Sequence, residues 1–367
     1  MSEFQSLLQR PRPSAWDRFR RRPCVYLAEK LHARHQRHLP TPPSPSPEAG
    51  TKRAPGTPPR RDDHRPVSVV CISDTHNNNA RCDPLPPGDV LIHAGDLTQA
   101  GSPAELQAAV DWLRAQPHPH KIVIGGNHDV VLDPARSDEE GREVAPPAAA
   151  AAAAPGLRPR RDEAERARRV DWGDVRYLHD SAAWIAVDGG RRRLKVWGSA
   201  WTPRNGNWAY QYPREQGAEV WYGAVPDDVD ILVTHGPPRG HLDADGHSGC
   251  DDLLREVWRV VEGSGPGSED DALRCGRHGL RLHVFGHVHA GRGHEWVAFD
   301  SVQRAYERTV SAGGGVWNLS RLVWASGTAA LSRCFSAPAE AKCQMVNAAM
   351  VGGLRDVVQH RPIKVYV

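Results

Sequence analysis

The sequence lacks three features that would place it quickly in a broad class of protein. None of its 7 cysteines lies in a C-x-x-C pair, so neither a cysteine zinc ribbon nor a disulfide framework is predicted. No apolar run reaches the roughly 18–20 residues of a membrane span, and no apolar signal-peptide core is present. The net charge of +3 is too small to indicate a nucleic-acid polymer as partner. We therefore expect an intracellular, cytoplasmic protein without a transmembrane segment.

Residues 1–64 differ in composition from the rest of the chain. Their first half is rich in Arg and His, and their second half consists mainly of Pro, Ser and charged residues. The second half cannot bury enough apolar surface to offset the entropy lost on ordering, which predicts a disordered basic and Pro-rich tail. The first half could form a short helix. Its alternative roles are a solvated tail, a helix for membrane-surface contact or partner docking, and an Arg-rich targeting sequence.

After this tail, short apolar runs alternate with polar loops. Each run is rich in Val, Ile and Leu, as in a buried strand, and ends in a loop with Asp, Asn or His. The runs are VSVVCISDTH, GDVLIHAGDLT, HKIVIGGNHD, DVDILVTHGPP and RLHVFGHVHA. Between the second and third runs, Ser102, Pro103 and Glu105 match the start of a capped helix. The pattern predicts an α/β protein with a site at the carboxyl edge of its sheet.

Two segments interrupt this pattern, at about 134–169 and 262–276. The first contains charge runs and seven consecutive alanines, and the second is rich in Gly, Ser and acidic residues. Both are predicted to be flexible inserts. The predicted organisation is a tail over residues 1–64 and one folded domain over residues 65–367 that contains both inserts.

The residues at the strand ends are of the types that bind divalent metals. They are Asp74, His76, Asp96, Asn127, His128, His235, His287 and His289. Carboxylate, amide and imidazole groups suit Mn, Fe or Zn, and the lack of cysteine among them disfavours softer metals. The spacing of two within D-x-H and H-x-H points both side chains of each pair to one side of an extended segment. Two neighbouring metals need an anion between them, which an Asp carboxylate can supply.

The motifs SDTH, GD, GNHD, THGPP and GHVH, in this order, resemble those of the calcineurin-like metallophosphoesterases. The surrounding sequence, including HAGDLT, WGSAWTP and ILVTHGPPRGHLD, is most similar to the small eukaryotic metallophosphoesterase-domain group. It is also similar to the class III cyclic-nucleotide phosphodiesterases. The resemblance spans about residues 67–367 without the inserts. It implies a four-layer αββα sandwich with two divalent metals at the strand ends.

The resemblance also implies a role for each motif residue. The first metal would be held by Asp74, His76 and His289, the second by Asn127, His235 and His287, and both by Asp96. A hydroxide between the metals would attack phosphorus, and His128 would protonate the leaving oxygen or stabilise charge. Manganese is the favoured metal, and iron, zinc or magnesium would also be accepted.

The implied substrate is a small phosphate ester or nucleotide, and phosphodiesters are favoured. Trp201, Arg204, Asn205 and Trp208 could stack a base and contact phosphate, and their alternative role is a packed loop corner. Alternative functions are a phosphomonoesterase, including a protein phosphatase, and a nucleotide-binding scaffold with little turnover. The complete ligand set favours an enzyme, and the lack of a clear Arg pair near the motifs argues against a phosphomonoester dianion.

Three further residues are interpreted as supports for this set. Asp129 and His93 lie next to or near proposed ligands and are expected to hold them from behind. His283 lies four residues before His287 and is expected to pack within the strand or support the site.

Overall fold

A computed structural model describes residues 14–37, 65–133, 170–244, 248–263, 279–333, 342–352 and 357–367. The predicted insert 134–169, most of the predicted insert 262–276, and residues 1–13 and 38–64 of the predicted tail lie outside the described residues. The described residues form two compact units. Among the described residues, those from 65 to 297 and from 342 to 367 form the larger unit, and those from 14 to 37 and from 298 to 333 form the smaller unit.

The elements follow the predicted alternation of strands and helices. The strands are β1 (Ser68–Ile72), β2 (Val90–Ala94), β3 (His120–Ile124), β4 (Val175–Tyr177), β5 (Ser181–Val187), β6 (Arg192–Ser199), β7 (Thr202–Pro203), β8 (Gln211–Tyr212), β9 (Ile231–Thr234), β10 (Leu282–Phe285), β11 (Gly293–Ala298), β12 (Lys342–Asn347), β13 (Val351–Gly352), β14 (Val357–Val358) and β15 (Ile363–Tyr366). The helices are α1 (Ala15–Arg21), α2 (Pro23–Arg37), α3 (Pro103–Arg114), α4 (Gly217–Trp221), α5 (Asp251–Gly263), α6 (Ser301–Ser311) and α7 (Val316–Arg333).

Two sheets form the centre of the larger unit. The first has the order β15-β1-β2-β3-β4, in which β1 to β4 are parallel and β15 is antiparallel to β1. The second has the order β11-β12-β10-β9-β6-β5, in which β12, β10, β9 and β6 are parallel. Strands β5 and β6 pair as a hairpin. The parallel strands bring their carboxyl ends to a common edge in each sheet.

The two sheets pack face to face through a shared apolar core. Since strand side chains alternate between faces, β1 directs Val69 inward and Val70 outward. The inward residues of both sheets form one cluster that includes Val69, Cys71, Ile92, Ile122, Ile124, Val196, Ile231, Val233, Leu282, Val284 and Val346. Burial of each large side chain contributes roughly 1.5–3 kcal/mol, so this cluster is a main source of stability.

Helices cover the outer faces of both sheets. Helix α3 begins with the predicted capping box, since the Ser102 and Glu105 side chains bond each other's backbone amides. It buries Leu106, Val110 and Leu113 against the outer face of the first sheet. On the second sheet, outward-facing Trp197 of β6 contacts Trp221 of α4 with ring centroids 6.5 Å apart, and α4 packs on α5. The predicted αββα sandwich is therefore confirmed.

The smaller unit joins the start of the chain to a segment far along it. Helix α2 begins at Pro23, where the missing N–H is not needed, and α2 packs on both α6 and α7. Its core contains Ala28, Val302, Leu322 and Ala325. The sequence predicted at most one short helix in residues 1–64 and placed residues 298–333 in the catalytic domain, whereas the structure has two helices there and groups 298–333 with them. None of the helices in the described ranges is both long enough and apolar enough to cross a membrane.

Candidate metal centre

The predicted site residues follow five parallel strands at the edge where those strands end. Asp74 follows β1, Asp96 follows β2 and Asn127 follows β3 in the first sheet. His235 and His287 follow β9 and β10 in the second sheet. The polar residues that follow the strands of the first sheet therefore lie close to those that follow the strands of the second sheet.

The backbone at this edge is held in an unfavourable conformation. The φ angles of Asp74, His76, Asp96 and His287 are 54°, 43°, 55° and 64°. Left-handed backbone costs a non-glycine residue roughly 1–2 kcal/mol, and such strain gathers at sites where surrounding contacts over-determine the geometry. Four of the predicted ligands are thus aimed by strained backbone rather than by regular strand geometry.

The side chains of the site form three overlapping groups. In each group, one ligand atom per residue lies within 4.8 Å of the others. The groups are Asp74, His76 and His289; His76, Asp96 and His128; and Asp96, His235 and His287. Asp96 links them, since its Oδ2 lies 3.7 Å from His76 Nε2 and 3.4 Å from His235 Nε2. Asp96 therefore occupies the position expected of a residue shared by two metals.

Asn127 adds an amide oxygen to the group formed by Asp96, His235 and His287. Its Oδ1 lies 2.9 Å from His235 Nε2, while His235 Nδ1 donates to the carbonyl oxygen of Ala94 at 2.9 Å. The carbonyl can only accept, so Nδ1 carries a hydrogen and Nε2 is the nitrogen directed toward Asn127 and Asp96. This orientation presents Nε2 to the centre of the predicted second metal set.

Buried carboxylates at the site remain ionised because neighbouring histidines compensate their charge. Although burial opposes ionisation, His289 lowers the pKa of Asp74 and His235 lowers the pKa of Asp96. Conversely, burial tends to lower the pKa of His235, but Asp96 outweighs it and raises that pKa to about 9. The position beside Asp96 therefore favours positive charge, which a proton or a cation can provide.

The surroundings of His76 agree with the binding of a metal ion. Both of its ring nitrogens are buried and have no hydrogen-bond partner among the described residues. Burial lowers the pKa of His76, so the ring is neutral and one nitrogen keeps a free electron pair. A buried polar atom without a partner costs about 1–3 kcal/mol, which a coordinated divalent cation would offset. The combination of oxygen and imidazole donors matches Mn, Fe or Zn.

His128 lies beside this set in a fixed orientation. Its backbone N–H donates to Asp96 Oδ1 at 2.8 Å, and its Nδ1 donates to the carbonyl oxygen of Gln99 at 2.8 Å. Its ring stacks on Trp208 with centroids 4.3 Å apart and meets the His76 ring edge-on at 4.5 Å. Since Nδ1 is engaged with Gln99, Nε2 is the nitrogen left for exchange of a proton.

Asp129 connects the two loops that carry Asp96 and Asn127, in agreement with the expectation that it supports the proposed ligands. Its carboxylate accepts hydrogen bonds from the amides of Gly126, Leu97 and Thr98 at 2.8, 3.2 and 2.9 Å. The Thr98 hydroxyl adds a bond of 2.7 Å. Asp129 therefore joins the loop that carries Asp96 to the loop that carries Asn127.

The four predicted substrate residues occupy different positions. Trp208 is 42% exposed and is stacked on His128. Trp201 is half-buried, donates from Nε1 to Asp180 at 2.9 Å and contacts the Tyr210 ring. Arg204 and Asn205 are exposed in the connecting loop. Trp208 is thus placed beside the site, whereas Trp201 forms the packed corner of the loop.

Sequence reasoning missed two groups that shape the site. One is the Gln99 carbonyl, because a backbone group leaves no mark in the sequence. The other is Asn347 at the end of β12, which donates to the carbonyl oxygens of Leu242 and Val288 at 2.9 Å each. The available signal was a polar residue at the end of the strand-like segment KCQMVN. Asn347 holds the turn that carries His289.

His283 supports the His235 loop from the outer face of the second sheet. Its Nε2 lies 2.8 Å from Thr234 Oγ1, and the Thr234 hydroxyl donates to the Gly236 carbonyl at 2.8 Å. Since that hydroxyl proton is used, His283 Nε2–H must donate and the ring is neutral with its proton on Nε2. Burial lowers the pKa of His283 to about 3, which agrees with this form. The chain of bonds fixes the two residues that flank His235.

We expect the replacement His283→Gln to reduce the loss of stability in acid. A neutral histidine with a folded pKa near 3 binds fewer protons than its unfolded counterpart near 6.5, so it destabilises the fold as pH falls between these values. Because glutamine does not titrate, the free energy of unfolding of the variant should exceed that of the parent at acidic pH by on the order of a few kcal/mol, relative to their difference at neutral pH. Chemical denaturation at pH 7.5 and pH 4.5 measures the change.

The matched control for this experiment is His120→Gln, because His120 is half-buried at the start of β3. It should follow the parent protein at both pH values. Equal pH dependence of unfolding for His283→Gln and the parent would show that His283 does not titrate as its burial requires.

Comparisons with known proteins agree with the geometry of the site. A family model described as calcineurin-like phosphoesterase matches residues 67–291. The chain is 35% identical to human metallophosphoesterase domain-containing protein 1 over 233 residues, and this alignment covers 61% of each protein. It is 34% identical over 234 residues to a UPF0046 protein of Caenorhabditis elegans, which covers 62% of this chain and 65% of that protein.

A further relative is a much longer protein. The chain is 39% identical over 298 residues, or 81% of its length, to 24% of a protein of Emericella nidulans named probable rhamnogalacturonate lyase C. The matched part thus spans about a quarter of this relative and less than two thirds of the other two. The family model covers more than half of the chain and includes all seven predicted ligands, so the protein belongs to the calcineurin-like phosphoesterase family.

Proposed function

We propose that this protein hydrolyses phosphate esters with the help of two divalent metal ions. The observation that carries the proposal is the position of Asp96 between two groups of buried and half-buried ligands, each of which combines residues from both sheets. Asp74, His76 and His289 would hold one ion. The other would be held by Asn127, His235 and His287, with Asp96 shared.

The bound ions would act as Lewis acids on the phosphoryl oxygens and would ionise water at neutral pH. The residues of the chain supply the position and the protons. Asp96 and Asp74, both buried, would provide the negative charge that holds divalent cations at this site. His128, which lies outside both metal sets, would protonate the leaving oxygen through Nε2, because Gln99 engages its other ring nitrogen.

The favoured metal is manganese, and iron, zinc or magnesium are the alternatives. The donors offered by the proposed ligands are carboxylate oxygen, amide oxygen and imidazole nitrogen, without a thiolate. Such donors suit metals of intermediate hardness. The buried cysteines of the described chain lie outside the three ligand groups.

The favoured substrate is a phosphodiester of nucleotide type. The exposed Trp208 indole lies against His128 and offers an aromatic surface next to the proposed acid. A nucleobase can stack on such a surface while its phosphate lies toward the ligands. Arg204 and Asn205, exposed in the same loop, would add polar contacts.

Removal and return of metal tests the function directly. Chelation should abolish hydrolysis of a chromogenic phosphodiester, and added Mn²⁺ should restore it more fully than Mg²⁺ or Zn²⁺. Two retained metals without turnover on a broad panel of phosphate esters would contradict the enzymatic role. Faster turnover of the matching monoester would replace the diesterase proposal with a phosphomonoesterase.

A further inference from the structure

Helix α7 of the smaller unit carries an apolar face that is open to solvent. Trp317 and Trp324 are 84% and 76% exposed, and Val316, Val323 and Leu331 are each more than half exposed. Trp317, Trp324 and Leu331 are spaced by seven residues, as are Val316 and Val323. A spacing of seven returns side chains to nearly the same side of a helix. We call these five residues the α7 face.

The opposite side of α7 is already used in the core of its own unit. Leu322 is fully buried and Ala325 nearly so, in a cluster with Ala28 of α2 and Val302 of α6. The α7 face is therefore not the inner surface of this helical unit. A helix that is apolar on both sides requires a second apolar environment for the outer one.

The charge of the smaller unit indicates what that environment is. Residues 14–37 and 298–333 contain eleven Lys and Arg against four Asp and Glu, a net charge of +7, while the whole chain has only +3. Arg321 is exposed four residues after Trp317 and three before Trp324, so it borders the α7 face. Its aliphatic stem can lie along the apolar stripe while its guanidinium reaches outward.

We propose that the α7 face docks on the surface of an anionic lipid bilayer. The helix would lie along the interface, with both tryptophans at the level of the lipid headgroups, where their amphipathic rings are favoured. The positive charge of the unit would add attraction to anionic headgroups. The helix rests on the surface because its other side stays packed on α2 and α6. This docking is independent of the proposed hydrolysis.

Sedimentation of the full chain with lipid vesicles tests the proposal. Vesicles of phosphatidylcholine with phosphatidylserine should carry the protein down at low salt, and pure phosphatidylcholine vesicles should carry down much less. Added salt should weaken the binding, because it screens the attraction between charges. The double variant Trp317→Ser/Trp324→Ser should bind more than about tenfold more weakly, because it removes two large apolar side chains from the contact.

The matched control is Tyr222→Ser, since Tyr222 is an aromatic residue of the larger unit that is 83% exposed. This variant should bind vesicles like the parent. Thermal melts of both variants should coincide with that of the parent, because the exchanged residues are exposed. Unchanged vesicle binding by the double variant would overturn the proposal. A second result would also overturn it. In that case the parent would not bind vesicles, and light scattering would show that the parent is a dimer and the double variant a monomer.

Discussion

Replacement of Asp96 by alanine is expected to abolish both metal retention and metal-dependent hydrolysis. Asp96 is buried, lies within 3.7 Å of His76 and 3.4 Å of His235, and belongs to two of the three ligand groups. Loss of an outer-shell partner alone typically costs 10–100-fold in metal affinity, so loss of a shared ligand should cost more than about 100-fold. Metal analysis of the purified variant and hydrolysis of a chromogenic diester measure both effects.

Asp96→Asn separates the charge of Asp96 from its hydrogen bonds. The amide oxygen can still accept from the backbone N–H of His128, now 2.8 Å from Asp96 Oδ1, so the loop should keep its shape. The variant should therefore melt closer to the parent than Asp96→Ala does, yet it should also lose metal because the anion between the two ligand groups is gone. Asp174→Ala removes an exposed carboxylate that pairs with Lys121 and should retain metal and activity. Full metal content and activity in Asp96→Asn would exclude a shared anionic ligand at this position.

The sequence pattern predicted the α/β alternation and the site at the sheet edge correctly because the relevant signals are local, whereas the αββα arrangement was implied by the family resemblance. Each strand of the motif region is a run of branched apolar residues, and each ends where its polar residues begin. Parallel pairing then requires those ends to share an edge, which is why Asp74 and Asp96 lie together. The segment WIAVDGGRRRLKVWGSAW, two apolar runs joined through Gly189 and Gly190, also predicts a hairpin, and the antiparallel pairing of β5 with β6 confirms it. Local pattern and sheet geometry were sufficient for these parts.

The smaller unit could not be predicted, because its contacts join distant parts of the chain. His35 and Asp300 lie 265 positions apart and approach to 2.6 Å. The segment 14–37 alone has an Arg-rich composition typical of a solvated tail, and its sequence does not indicate that it packs with Val302 and Leu322. The position of Trp208 could not be predicted from the sequence either. Its loop sequence permits either base stacking or corner packing, and only the tertiary fold places its ring on His128.

Replacement of His128 by alanine is expected to lower kcat by about 10²–10⁴-fold while metal content is retained. His128 shares a ligand group with His76 and Asp96, but it belongs to neither of the two proposed metal sets, and its backbone N–H, which donates to Asp96, survives the change. The loss should be larger for substrates with a poorly stabilised leaving group than for a nitrophenyl ester. A group that donates a proton matters most when the leaving oxygen is most basic, whereas a group that only stabilises phosphoryl charge would affect both substrates similarly.

The control for His128 lies at the start of β3, the strand that precedes the His128 loop. His120 begins β3, bonds the Ala186 carbonyl at 2.7 Å and is remote from the ligand groups, so His120→Ala should keep its rate on every substrate. Trp208→Ala should give an intermediate loss, because the imidazole loses its stacking partner but keeps its bond to Gln99. Similar losses in His128→Ala and His120→Ala would remove His128 from the chemistry. A loss in His128→Ala that is the same for both leaving groups would make it a charge-stabilising group, because loss of a proton donor slows the substrate with the more basic leaving oxygen more strongly.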